Sequence, residues 1–143
     1  MKEKVIVPIQ EEMWRERDGE VYLIGSICKQ CGEIYFPKKD LSVCAYCGSE
    51  NIEEKEIKGY GEIYNYVQID YPPAGGFYFG PAPFICAVVR MEDNILVEGH
   101  LVHTDTEDVK IGDKVRVIVD ELMENDKEII MSYMFEPVRQ DRR

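Results

Sequence analysis

From Gly59 onward apolar and polar residues alternate with period two, the signature of half-buried strands. Ile63, Val67 and Ile69 fall on one predicted face, and Tyr64, Tyr66 and Gln68 on the other. Phe84 to Met91 is a near-continuous apolar run that predicts a buried second strand. Ile95, Val97, Gly99 and Leu101 line the inner side of a third, where Gly99 predicts a bend. Val115, Val117 and Val119 form a fourth after the turn Ile111-Gly112-Asp113, and Glu128 to Phe135 a fifth. Five strands with one long connection predict a small closed Greek-key barrel of the OB type over residues 59–138. An open sandwich is the alternative.

Upstream the period changes. Ile9, Met13 and Trp14, with the stem of Arg17, make one apolar stripe at helical spacing. Pro8 suits a first helical position, Glu11 and Glu12 the positive end, Arg15 and Arg17 the negative end, and Gly19 a stop. Residues 1–22 are therefore expected to hold a short helical segment packed on its own domain, with Trp14 as a candidate partner contact. The chain thus reads as mainly β with one short N-terminal helix.

Between these regions, residues 23–58 carry the strongest signal. Cys28, Cys31, Cys44 and Cys47 form two CxxC pairs, each followed by a glycine, Gly32 and Gly48. Two intervening residues let both thiolates of a pair point at one ion, and the glycine lets the backbone turn back. Two facing knuckles complete an all-sulfur tetrahedron, expected to hold one structural zinc because no position stays open for water. Rubredoxin-type iron uses the same ligands, and spacing alone does not separate the two. A reducing compartment argues against disulfides. A ribbon of this size does not bury enough surface to fold without its metal. Cys86, inside the apolar run, reads instead as a core thiol.

Composition narrows the function. Lys and Arg number 17 against 28 Asp and Glu in 143 residues, a formal net charge of −11. Such a surface repels phosphate backbones, which disfavours a nucleic-acid module, although zinc ribbons and OB barrels both serve in that role. Val5 to Ile9 is too short for a secretory core. The charge-free run from Tyr71 to Val89 contains four prolines and three glycines, which no spanning helix tolerates together. A cytoplasmic protein is expected.

The stretch from Tyr71 to Pro83 is long for a patternless connection. Tyr71, Phe77, Tyr78 and Phe79 on this Pro/Gly scaffold, beside the outward Tyr64 and Tyr66, predict a rigid apolar surface for contact with something else. A loop folded over its own barrel mouth is the alternative. His100 and His103 have no motif that places either beside a free thiol, so no catalytic set is expected.

Several of these pieces resemble a known family in their order and spacing. They are the double CxxCG, Tyr35-Phe36-Pro37-Lys38-Lys39 between the knuckles, Gly59-Tyr60-Gly61, Pro83-Phe84 and Ile111-Gly112-Asp113-Lys114-Val115. The sequence resembles the acyl-CoA-associated family that joins a rubredoxin-like zinc ribbon to an OB-fold. Ala45 replaces the usual proline of the second knuckle, and Lys39 stands where arginine is common, which weakens a bidentate phosphate contact there. The resemblance implies a non-catalytic partner of thiolases and related acyl-CoA enzymes, which helps hold coenzyme A while the catalytic subunit supplies the cysteine and histidine. A subunit of the benzoylsuccinyl-CoA thiolase of anaerobic toluene breakdown is the specific expectation. A scaffold for the mevalonate-pathway acetoacetyl-CoA thiolase and hydroxymethylglutaryl-CoA synthase is the alternative. On that reading Lys38 and Lys39 meet the phosphates, while Tyr64, Tyr66, Phe77, Tyr78 and Phe79 meet the coenzyme or the partner.

Overall fold

The structure is a computed structural model that describes residues 4–9, 13–36, 38, 43–71 and 82–138. Ten strands, and no helix, occur among them. In chain order they are β1 (Val5–Pro8), β2 (Trp14–Arg17), β3 (Glu20–Cys28), β4 (Ile34–Tyr35) and β5 (Ile52–Lys58). β6 (Tyr60–Ile69), β7 (Phe84–Met91), β8 (Leu96–Leu101), β9 (Lys114–Glu124) and β10 (Glu128–Pro137) follow. Two sheets result.

The larger sheet closes on itself. β6, β7 and β8 form an antiparallel meander, β9 pairs with both β6 and β10, and β10 meets β8 in parallel at Phe135–Leu101. This is the closed five-strand barrel expected of an OB-fold. Phe135, Ala87 and Val89 have no exposed surface, and Ile63, Met91, Val97 and Val115 almost none. The smaller sheet sets β3 between β2 and β5, with the two-residue β4 beside its far end. Leu23 and Ile57 of this sheet are fully buried and join the barrel core, so the two sheets share one interior. The seam also carries polar ties: Tyr60 donates its hydroxyl to Glu20 at 2.9 Å, and the Lys58 amide bonds Asp93 at 3.1 Å.

The expected N-terminal helix does not form among the described residues. Val5-Ile6-Val7, a β-branched run, lies parallel to Glu128–Met131 of β10, with the Val5 and Ile9 amides bonded to Lys127 and Met131 carbonyls. Pro8 falls between those inward-facing donors, so its missing N–H removes no bond from this ladder. Trp14–Arg17 pairs with Glu20–Leu23 across a two-residue turn in which Asp18 and Gly19 both have positive φ, 54° and 80°. Asp-Gly is the preferred pair for such a turn. What resembles a helix stop is a hairpin turn, and Trp14 packs on the molecule's own core.

A second correction concerns β6. The ladder with β7 shifts between Ile63 and Asn65, so Tyr64 is an extra, bulged residue. Beyond it the alternation changes face: Tyr66 lies opposite buried Ala87, while Val67 lies opposite Cys86 and is 57% exposed. A simple period of two places Val67 inside and Tyr66 outside, and the bulge reverses both. No helix among the described residues is long and apolar enough to cross a membrane.

Candidate metal centre and flanking surfaces

The four cysteines converge at one end of the small sheet. β3 ends on Cys28, and the chain turns at once, with the Gly32 amide 2.8 Å from the Cys28 carbonyl and the Gly32 φ at 84°. The second knuckle repeats the device: the Gly48 amide lies 2.8 Å from the Cys44 carbonyl, with φ at 79°. Only a residue free of a Cβ adopts that backbone cheaply. The Cys28 and Cys47 sulfurs are 3.6 Å apart and those of Cys31 and Cys44 3.8 Å apart, and all four lie within 4.8 Å of one another. A tetrahedral zinc with bonds near 2.3 Å needs sulfurs about 3.8 Å apart, so the donor set fits that ion. Cys28 and Cys44 are buried, while Cys31 and Cys47 face the surface.

Electrostatics also call for a cation. The Tyr35 hydroxyl, 3.0 Å from the Cys44 sulfur, leads the interactions that bring that thiol down to about 6, and its own hydroxyl is pushed up to about 12. The Tyr46 amide donates to the same sulfur at 3.3 Å. The Cys31 amide is the chief cause that lowers the Cys28 thiol. The other two thiols move the opposite way. The Glu33 amide draws Cys31 down, but lost hydration and the neighbouring sulfurs push it up to about 12. The Ser49 amide draws Cys47 down and is likewise outweighed. Four negative charges do not coexist at these distances without a counter-ion, and a divalent cation removes the penalty. With every ligand position taken by sulfur, zinc here would hold the two knuckles together and leave no place for substrate.

The other residues named from sequence scatter. Lys38 places its ammonium 3.2 Å from Glu54, inside an exposed network in which Arg15 meets Glu54 and Glu56, and Arg17 meets Glu56. Tyr64 is half exposed, with the Arg90 guanidinium 5.1 Å from its ring centre. Tyr66 donates its hydroxyl to the Val109 carbonyl at 3.1 Å. Lys39, Phe77, Tyr78 and Phe79 lie outside the described residues.

Sequence reading missed a buttressed histidine. His103 has a positive φ of 63°, and its Nδ1 stands 2.5 Å from Glu136 Oε1. Arg116 bonds the other oxygen of that carboxylate, with Nε at 2.7 Å. The His103 bond is the main reason the Glu136 carboxyl is held below its usual range, with Arg116 assisting. The partners are 33 and 20 residues apart, so no local motif signals them. Cys86 and His100 are cross-strand neighbours. Desolvation pushes the Cys86 thiol up, and burial pushes the His100 imidazole down. Both shifts favour neutral groups, the reverse of a thiolate–imidazolium pair.

Known proteins share this arrangement. Residues 18–53 match the rubredoxin-like zinc ribbon domain of ChsH2, and residues 54–120 its C-terminal OB-fold domain. A "DUF35 domain-containing scaffold protein" of Pyrococcus furiosus is 32% identical over 87% of this chain and 90% of its own length. One from Methanocaldococcus jannaschii is 29% identical over 96% and 94%. "Benzoylsuccinyl-CoA thiolase subunit BbsA" of Geobacter metallireducens is 27% identical over 85% and 80%. Among solved structures, the "Ltp2-ChsH2(DUF35) aldolase" shares the fold, with a TM-score of 0.62 at 23% identity over 81% of this chain and 84% of that one. The ribbon, the barrel and the near full-length likeness to the archaeal scaffolds agree, and the chain belongs to the DUF35 family of zinc-ribbon and OB-fold scaffold proteins.

Proposed function

We propose that this chain is a non-catalytic subunit of a thiolase-type acyl-CoA complex, with Cys28, Cys31, Cys44 and Cys47 holding one structural zinc. The observation that carries this is the near full-length likeness to scaffold proteins together with the thiolase subunit relative. The chemistry of the chain supports it: the Cys86–His100 pair is neutral and His103 is tied to Glu136, so the nucleophile and the acid/base belong to the partner.

The zinc clamp and shared core make a rigid platform, and the contact surface sits on the β6–β7 hairpin. The bulge at Tyr64 turns Val67 outward, and Tyr64, Val67 and Tyr71 are 49%, 57% and 77% exposed. The aromatic stretch of residues 72–81 continues from this face in sequence and is the candidate cover for the coenzyme A arm. Lys38 and Lys39 are the candidates for the phosphates, and Lys38 would have to leave its pairing with Glu54 to meet them.

Two complexes compete. The archaeal scaffolds exceed the thiolase subunit relative in identity and in coverage. The scaffold relatives favour a bridging role, and the thiolase subunit relative favours a benzoylsuccinyl-CoA thiolase, with a scaffold between an acetoacetyl-CoA thiolase and a hydroxymethylglutaryl-CoA synthase as the alternative. Co-expression with thiolase-type chains of the same organism, followed by size exclusion, tests the proposal. Co-elution with a thiolase chain in fixed ratio is expected. A chain that elutes alone beside those enzymes, or that cleaves acyl-CoA thioesters unaided, overturns it.

A further inference from the structure

The sulfur cluster is not symmetric. Backbone amides face each sulfur, but among the described residues Cys44 also has a side-chain hydroxyl, that of Tyr35 at 3.0 Å. Tyr35 stands on β4, which pairs with β3 at Ser26 and Ile27, immediately before the first knuckle. Its hydroxyl therefore reaches from the hairpin that carries Cys28 and Cys31 to the knuckle that carries Cys44 and Cys47. A phenol donates to a thiolate and withdraws charge from it, and outer hydrogen bonds of this kind orient a ligand and tune its donation to the metal.

We propose that Tyr35 is a positioning residue of the metal centre, whose hydroxyl donates to the metal-bound Cys44 thiolate and slows loss of the ion. The inference rests on the reading of the four cysteines as the metal site. Removing the hydroxyl leaves the ring and the β3–β4 pairing in place but returns charge to one sulfur. The Cys44 sulfur then carries more charge but loses the contact that fixes its orientation toward the metal, so the ion leaves more readily.

Tyr35→Phe in the full chain tests this, with Phe36→Leu as the neighbouring control. Phe36 packs edge-on against Tyr133 at 5.5 Å between ring centres and has no donor to offer a sulfur. Zinc withdrawal by an excess of a colorimetric chelator is expected to be about 10-fold faster for Tyr35→Phe than for the parent. In the cobalt-substituted proteins, the thiolate-to-cobalt charge-transfer band is expected to move to lower energy in Tyr35→Phe and to stay in place in Phe36→Leu. A merely structural contribution of Tyr35 leaves that band unmoved. A parent chain that takes up cobalt while Tyr35→Phe matches it in both band and release rate overturns the role of Tyr35 alone. A parent chain that takes up no cobalt overturns the metal site and this inference with it.

Discussion

The Phe135 ring fills the space a side chain at Gly99 would need: two of its carbons lie 2.9 and 3.2 Å from the Cβ position of Gly99. Tyr133 closes the same space from the side at 3.0 Å. Neither ring is free to retreat. Phe135 is fully buried, and Tyr133 is pinned by its hydroxyl bond to the Glu98 carbonyl. The bend read from Gly99 is thus a packing requirement: strand β8 gives up a side chain so that two aromatics of β10 can plug the barrel. Gly99→Ala overpacks a closed interior and should cost about 1–3 kcal/mol. Urea denaturation followed by fluorescence checks this, and zinc content should not change.

Most of the barrel was legible because its signals are local. The valines at 115, 117 and 119, the run from Phe84 to Met91, and the paired CxxCG turns need no knowledge of distant residues. Two features depart from the periodic pattern, one under a stronger local signal and one without any local signal. The stripe of Ile9, Met13 and Trp14 suggested a helix, although Asp18-Gly19 is a hairpin turn that binds Trp14–Arg17 to β3. The bulge at Tyr64 leaves no composition mark, so the faces of Tyr66 and Val67 were exchanged. The Glu136 cluster and the Tyr35–Cys44 contact depend on how separate strands are brought together, which pattern reading does not reach.

The ribbon face should lose stability in acid in a specific way. Glu56 is held down to about 2, first by its bond to Arg17 and then by Arg15. An unfolded glutamate titrates near about 4.3, so folding favours the ionised form. The stabilisation is complete above that value and is lost as pH falls toward the folded one. Glu56→Gln should therefore have a lower melting temperature than the parent at pH 6, with the gap closing between roughly pH 4.3 and 2. Because its pairs with Arg15 and Arg17 lie at the surface, the gap at pH 6 should also shrink in 1 M salt. A gap that is constant across pH would show that the carboxylate charge is not what stabilises.

The exposed hairpin face carries a different expectation. Val67 lies outside the core, so Val67→Asp should leave melting nearly unchanged, within about 0.5 kcal/mol. A charge placed in the centre of an apolar contact should weaken partner binding by 1.4 kcal/mol or more, about 10-fold. Isothermal titration of each variant with the purified thiolase-type chain reads the binding, and thermal melting of the variant alone reads the folding. Glu121→Ala on β9, exposed and away from this hairpin, serves as the control and should bind as the parent does. Equal affinity of Val67→Asp and parent would move the contact surface elsewhere.

Metal loss should separate the two sheets without dissolving both. Beyond the sulfurs, the knuckles are held by the short β4 pairing, the end of the β3–β5 ladder at Cys28 and the Lys29 amide on the Asn51 carbonyl. That is too little to fold the ribbon tip alone, so binding of the ion and folding of that tip are one equilibrium. The barrel closes through its own ladders from β6 to β10 and keeps a core of Ile63, Val89, Val115 and Phe135. It nevertheless shares Leu23 and Ile57 with the ribbon, both fully buried. Exposing those two side chains costs roughly 1.5–3 kcal/mol each, so the barrel should survive but melt at a lower temperature. In Cys31→Ser, elemental analysis should find no stoichiometric zinc. Amide exchange should become fast from β3 to β5 and stay slow in β7 and β9. Uniformly fast exchange would mean that the barrel depends on the ribbon for its fold, and uniformly slow exchange that the ribbon folds without its ion.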